Sequence, residues 1–425
     1  METVRRRVVV VGGGASGMMA ALAAGRSGAE AVVIEKNPRV GKKLLGTGNG
    51  RCNLTNENAG AGFYHGAHPL FAEHALSLLD PAAVRELFRG IGLETKAERD
   101  GKVYPLCDQA SAVLDVLMFA MEKQGVAVHC GERVTAVRWE LEGSRRTFFV
   151  ECASGGRYQG DCVILACGGK AAPGCDGQSY ELASLLGHRV SELFPALAQL
   201  KLEGDFFPFL SGVRIEGAAA VLKDGEEARR ERGDLLFTNY GVSGPPILQL
   251  SRKAGEILRE NDTAVCELRL CLLDRWRPDE ILSCLERRFQ ILGDWPISQC
   301  LVGFVNKRLG QVLLKLAGLF HRKGTVSQLR REDVERLGRL FWDWRIPARG
   351  LRGWTNAQVT AGGVLTEEIS ARSMESKLVE GLYFSGEMVD IDGDCGGYNL
   401  QWAWASGFLA GRSAAGRQDA APTVP

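Results

Sequence analysis

At 425 residues the chain is longer than one ordinary hydrophobic core supports, so two or three domains are expected. Its apolar content of 45% and charged content of 24% are those of a globular protein, and a net charge of +1 gives no global electrostatic case for nucleic acid or an anionic membrane. No run reaches eighteen uninterrupted apolar residues, which argues against a transmembrane helix, and the basic start runs straight into an apolar strand, so a cytoplasmic chain without a cleavable leader is expected.

The first element is the run Val8-Val9-Val10-Val11, four β-branched residues that read as a strand buried on both faces of a parallel sheet. Gly12, Gly14 and Gly17 follow at the G-x-G-x-x-G spacing and open a helix of small residues. Gly12 allows the tight turn, Gly14 lets a pyrophosphate approach the backbone, and Gly17 lets helix and strand close together. Free N–H groups and the positive end of the helix dipole then face the phosphates. A second apolar run ends in Glu35, eighteen residues after Gly17, where a carboxylate can accept the hydroxyl hydrogens of an adenosine ribose. Strand, turn, helix, strand and terminal acid together point to a dinucleotide.

Residues 36–56 carry four glycines and five basic residues with hardly any apolar periodicity, so a loop is expected, laying N–H groups and Lys or Arg charges along an anionic cofactor. Residues 70–92 read as helical, with Pro81 starting a second helix. Residues 111–124 form an amphipathic helix stopped by Gly125. Strands at 126–130, 134–139 and 147–152 read as a three-strand excursion, before the apolar run 162–167 returns to the parallel sheet and breaks at Gly168-Gly169.

From residue 193 short strand-like runs (218–222, 234–237, 265–272) alternate with Gly- and Pro-rich turns such as 241–246. Three helices follow: one opened by Pro278, one near 302–316, and one carrying Val334, Leu337, Leu340 and Phe341. The middle block therefore reads as a small β domain with a helical insertion. Site character returns at the end. A strand precedes Ser385-Gly386-Glu387, and Gly396-Gly397 opens a helix running to Ala410, its dipole aimed at a group that becomes anionic. A nucleotide site divided between the two ends of the chain requires the middle to be inserted.

Twelve cysteines include no C-x-x-C pair and no zinc spacing, and His65 and His68 lie in a loop without a third ligand, so no metal is expected. The thiols Cys162 and Cys167 flank an apolar run and are expected to be free and buried.

Five stretches together resemble the bacterial HI0933-like or aminoacetone-oxidase-family flavoproteins: the Gly12–Gly17 turn, residues 46–56 (G-T-G-N-G-R-C-N-L-T-N), 237–245, 360–364 and 381–407. The resemblance covers most of the chain. It implies an α/β fold in which a Rossmann-type FAD-binding domain occupies 1–192 and 361–415. A β-barrel domain would be inserted at 193–274 and 348–360, carrying a helical subdomain at 275–347, with 416–425 as a flexible tail. It implies non-covalent FAD, with Ala15 and Ser16 facing the pyrophosphate and Glu35 the adenosine ribose. Val134 would meet the adenine through its backbone, and Lys36, Lys43 and Gly168 would lie beside the cofactor. Arg51, Cys52 and Asn53 would run along the pyrophosphate and flavin. Glu387 would hold a ribityl hydroxyl, and Gly397, Tyr398, Asn399 and Leu400 would approach the pyrimidine edge.

The loop 168–177 looks shorter than the family's, and Asn239 stands where many members have His. Members from gut anaerobes reduce conjugated double bonds of 3-oxo bile acids, so the expected activity is NAD(P)H-dependent reduction of a carbon–carbon double bond conjugated to a ketone in an apolar small molecule. Amine oxidation and action on RNA are the alternatives. Tyr398, Arg51 and Tyr240 are candidate proton donors that sequence does not rank, and Tyr398 packs equally well against a ring. Only one G-x-G-x-x-G exists, so NAD(P)H would bind transiently or act through an electron-donor partner.

Overall fold

The computed structural model describes residues 5–143, 145–260 and 264–416. The chain divides into two compact units, one formed by residues up to 194 together with those from 359 on, the other by 195–358. Most of the expected 416–425 tail lies outside the described residues.

The first unit is built on a five-stranded parallel sheet in the order Leu382–Phe384, Cys162–Leu165, Arg7–Val11, Glu30–Glu35, Ala127–Cys130. The central strand is sealed on both faces: Val8, Val9 and Val10 are fully buried. The helix Ala15–Arg26 covers one face, and the C-terminal helix Tyr398–Ala414 packs along it. Glycines bring the two helices into backbone contact. A Cβ on Gly407 would lie 2.3 Å from Ser16 O, and one on Gly411 2.1 Å from Ala20 O.

One strand lies in a different sheet from the one its sequence context predicts. Residues 126–130 read as the start of the antiparallel excursion, but Ala127–Cys130 pairs in parallel with Glu30–Glu35. The helix Ala110–Lys123 lies just before it, and a strand returning from such a crossover rejoins the parallel sheet. The excursion consists instead of Val134–Glu142, Arg145–Cys152 and the unforeseen Arg157–Gly160. The expected loop at 36–56 also has structure: a helical turn Lys42–Leu45, a 3-10 turn Thr47–Gly50 and a short strand Thr55–Asn56. Between 69 and 90 the chain forms a 3-10 turn and two helices. Asp80 accepts from Ala83 N at 2.7 Å and Pro81 occupies the first turn of Pro81–Gly90.

The second unit contains a closed barrel in the order Leu200–Leu202, Gly241–Ser243, Glu226–Thr238, Arg214–Lys223, Cys266–Cys271, Trp344–Leu351. Leu200, Val221, Leu235, Phe237, Val242, Leu268 and Leu270 are fully buried. The helices Pro278–Ile291, Lys307–Leu316 and Arg331–Trp342 form its helical part, burying Leu285, Leu313, Leu337 and Phe341. The second helix starts later than expected because Asn306 caps it, accepting from Arg308 N at 3.0 Å. Pro245 and Pro246 read as a turn but open a further helix, Pro245–Glu260, which buries Ile247, Leu250, Ala254 and Ile257. Among the described residues, no strand of this unit belongs to the parallel sheet.

Candidate functional site

The three motif glycines answer different demands. Gly12 has φ +110°, donates to Ile34 O at 2.8 Å, and a Cβ there would lie 2.4 Å from Ala166 O. A Cβ on Gly17 would lie 1.9 Å from Gly12 O. Gly14 is different: a Cβ there would meet nothing within 4 Å. The fold requires the first and third glycines, and the second leaves the open approach that a phosphate needs. Ala15 and Ser16 begin the helix, and Gly386, at φ +67°, would drive a Cβ to 2.5 Å from Ser16 Oγ. The C-terminal segment is thereby brought to the phosphate end.

Glu35 is buried at the end of its strand. Its Oε2 accepts from Gly13 N at 2.7 Å and its Oε1 from Asn37 N at 2.8 Å, which aims the carboxylate while leaving further lone pairs for ribose hydroxyls. The Lys36 ammonium pairs with Asp176 at 2.9 Å, and Arg133 reaches the same carboxylate at 2.6 Å. Burial opposes the charged form of Asp176, but these two cations hold its carboxyl well below the usual range. Val134 is buried beside this pair, at the start of its antiparallel strand.

Lys43 and Glu387 meet at 2.5 Å. Glu387 Oε1 also accepts from Thr360 N at 2.7 Å, while Thr360 Oγ1 accepts from the N–H groups of Lys170 and Ala171 at 2.8 and 3.0 Å. A Cβ on Gly169 would lie 2.3 Å from Thr360 Oγ1 and 2.7 Å from Glu387 Oε1. Gly168, at φ +76°, has open space on its Cβ side. Thr360, which sequence had not singled out as a site residue, thus ties the 168–171 loop to Glu387.

At the other end, Asn53 Oδ1 is buried with no hydrogen-bond partner. It lies 2.9 Å from where a Cβ of Gly397 would sit, and that Cβ would also be 2.4 Å from Thr55 O. Gly397, at φ +102°, caps the helix Tyr398–Ala414, whose first N–H groups have no partner within the helix. The Asn399 side chain accepts from Gly393 N (2.8 Å) and donates to Gly393 O (2.7 Å) and Asp394 O (3.2 Å). It clamps the incoming loop, so what it can offer a ligand is its backbone. Leu400 is half-buried beside it.

Three candidates acquire different roles. The Arg51 guanidinium binds Glu98 (2.5 Å) and Asp108 (2.6 Å) and lies over the Tyr104 ring at 4.1 Å. The hydrogen bonds it donates to Glu98 and Asp108 push its pKa up, which holds its protons and does not favour it among the three candidate proton donors. The Tyr398 ring stacks on Phe63, centroids 4.6 Å apart, with Tyr64 edge-on. Burial, with the Asp394 charge behind it, pushes its hydroxyl up to about 12, which makes it a weaker acid than an exposed tyrosine. Tyr240 lies in the other unit, its ring under Arg352 at 4.5 Å and next to exposed Asn239. Cys52 is fully buried at φ +62°, and burial pushes its thiol up to about 12, leaving it a neutral neighbour.

His65, which the sequence pattern places in a loop without a third metal ligand, pairs with Asp394, Nε2 to Oδ1 at 2.7 Å, across 329 positions of chain. Among the described residues no group of three or more His, Cys, Asp or Glu could hold a metal, and no helix is long and apolar enough to cross a membrane.

These residues fit FAD. Glu35 would hold the adenosine ribose, and the N–H groups from Gly14 to Ser16 the pyrophosphate. Lys43 and Glu387 would face the middle of the cofactor. The helix N-terminus at Tyr398–Leu400, with the unpartnered Asn53 Oδ1, would meet the flavin's polar edge.

The family model described as HI0933-like protein Rossmann domain matches residues 6–413. The 3-dehydro-bile acid delta(4,6)-reductase of Clostridium scindens is 40% identical over 405 residues, 94% of this chain and 96% of that protein. A ribosomal RNA dihydrouridine synthase of Escherichia coli is 30% identical over 91% of this chain and 92% of its own length. One from Haemophilus influenzae is 26% identical over 92% and 94%. The chain belongs to the HI0933-like family.

Proposed function

We propose that the protein is an FAD-dependent reductase that draws hydride from NADH or NADPH and saturates a carbon–carbon double bond conjugated to a ketone, in a steroid-like substrate. The observation that carries this reading is the 40% identity with the bile-acid delta(4,6)-reductase over nearly the whole of both chains. The site is compatible with it. Bound FAD would supply hydride transfer, chemistry that no side chain offers. Glu35 would orient the adenosine end, and the helix beginning at Ala15 would stabilise the pyrophosphate charge. The N–H groups that open the C-terminal helix would stabilise negative charge at the pyrimidine edge. No second G-x-G-x-x-G is present, so the pyridine nucleotide would bind only transiently.

A second reading is favoured by the two ribosomal RNA dihydrouridine synthases. Dihydrouridine is uridine whose ring double bond, also conjugated to a carbonyl, has been saturated, so the bond chemistry is shared and the readings differ in substrate. A net charge of +1 favours the small apolar substrate, because RNA binding draws on neutralised phosphates.

Anaerobic mixing separates these readings. NADH or NADPH should bleach the flavin, and a 3-oxo-Δ4 steroid should restore its colour without oxygen. Recovery with ribosomal RNA instead would replace the reading. Reduced enzyme that ignores both, and reoxidises in air after an amine is supplied, would be an amine oxidase.

A further inference from the structure

The short strand Tyr64–His65 pairs antiparallel with Asp392–Gly393, His65 opposite Asp392 and Tyr64 opposite Gly393. Successive side chains of a strand take opposite faces. Tyr64 turns to the C-terminal helix, where its hydroxyl donates to Tyr398 O at 3.0 Å. His65 takes the other face and meets Asp394 at 2.7 Å. Asp394 is itself anchored: its N–H donates to Phe63 O at 3.0 Å and its carbonyl accepts from Asn399 Nδ2 at 3.2 Å.

A carboxylate on Nε2 keeps the neutral ring's proton on that nitrogen. Nδ1 is then a lone pair and, once the ring is protonated, an N–H donor. Nδ1 forms no hydrogen bond with a described residue, and the side chain is 25% exposed. Three positions beyond Asp394, Gly397 opens the helix whose N-terminus would meet the flavin. An imidazole with one nitrogen oriented by a buried acid and the other open, on the loop that leads to the cofactor edge, is equipped as a general acid.

We propose that His65 is this acid: through Nδ1 it hydrogen-bonds the carbonyl oxygen of the bound enone and gives it a proton, with Asp394 as positioning residue. The inference rests on the enone reading above. Hydride, supplied by the reduced cofactor and ultimately by the pyridine nucleotide, bonds to the β-carbon. The C=C electron pair shifts to the bond between the α-carbon and the carbonyl carbon, and the carbonyl pair moves onto oxygen, which takes the Nδ1 proton. The enol isomerises to the saturated ketone in water, and solvent reprotonates the ring. One hydride and one proton have been added across the double bond.

The test uses 4-chlorophenol on the oxidised holoenzyme, since a phenolate oxygen stands in for the enolate oxygen and its ring, stacked on the flavin, gives a long-wavelength charge-transfer band. Wild type should show the band, and His65→Gln, with wild-type FAD content, should bind the phenol roughly 10- to 100-fold more weakly, as expected for the loss of a hydrogen bond to a charged group. Equal dissociation constants, no band in wild type, or a His65→Gln protein that purifies without FAD would each overturn the proposal. In ¹⁵N NMR the His65 ring should be the Nε2–H form in wild type and a tautomer mixture in Asp394→Asn. An unchanged tautomer removes the positioning role of Asp394. The enone reading fails separately, when reduced wild type is left unoxidised by the steroid.

Discussion

Lys43 Nζ lies 2.5 Å from Glu387 Oε2, joining two residues 344 positions apart. The pair closes the middle of the site, where a loop of the N-terminal segment meets the start of the C-terminal one, and Thr360 N fixes the other Glu387 oxygen. Glu387→Ala should weaken FAD binding by about 1.5–3 kcal/mol, the range for hydrogen bonds to a charged group. Lys43→Met, which leaves the Thr360 contact in place, should cost less. Calorimetric titration of apoprotein with FAD measures both, and a larger loss in Lys43→Met would contradict this ordering.

Gly14 and Gly17 should part company when each is changed to Ala. A Cβ at Gly14 meets open space, so the apoprotein should melt within a degree or two of wild type yet bind FAD poorly. At Gly17 the same methyl lies 1.9 Å from Gly12 O, so the fold itself should lose about 1–3 kcal/mol from overpacking. Apoprotein melting curves beside FAD titrations separate the two effects.

Glu35→Ala should do more than remove a ribose acceptor. Gly13 N donates to its carboxylate at 2.7 Å and Asn37 N at 2.8 Å, so the phosphate turn loosens as well. FAD affinity should fall roughly 10- to 100-fold, and Glu35→Gln, which keeps one acceptor oxygen, should recover part of it. Full affinity in Glu35→Ala would remove the residue from the site.

Tyr398→Phe preserves the ring that stacks on Phe63 at 4.6 Å. Stopped-flow reoxidation by an enone should therefore slow by far less than the ~10²-fold that losing a general acid costs. Phe63→Ala should instead destabilise the protein by about 0.5–1.5 kcal/mol beyond the buried area it loses.

Asp176 is partly desolvated, which raises its pKa, but Lys36 and Arg133 lower it overall. A carboxyl depressed in the folded state contributes stability that is complete above its unfolded value of about 3.9 and is lost as pH falls through the lower folded value. Asp176→Asn should thus melt below wild type at pH 7, and the gap should close as pH is taken below roughly 3.9. A gap independent of pH would assign the effect to packing.

The features that read directly from the sequence are those whose causes are local. Four consecutive valines need burial on both faces whatever surrounds them, and Gly12 needs its positive φ because of the turn it makes itself. Pro81 starts a helix because its fixed φ suits the first turn, whatever packs against it. Glu35 could be placed by counting along one strand and one helix.

Other features depend on which segments meet, and no spacing encodes that. Ala127–Cys130 has the same residues in a parallel or an antiparallel sheet, and only its pairing with Glu30–Glu35 decides between them. Arg51, read as a cofactor ligand, binds Glu98 and Asp108 because the fold brings two carboxylates to one guanidinium. Gly407 and Gly411 show their purpose only against the backbone of Ser16 and Ala20. His65 was an unremarkable loop histidine until tertiary structure carried Asp394 across 329 residues to its ring nitrogen, since a side chain's chemistry is set by its neighbours and those are chosen by the whole chain.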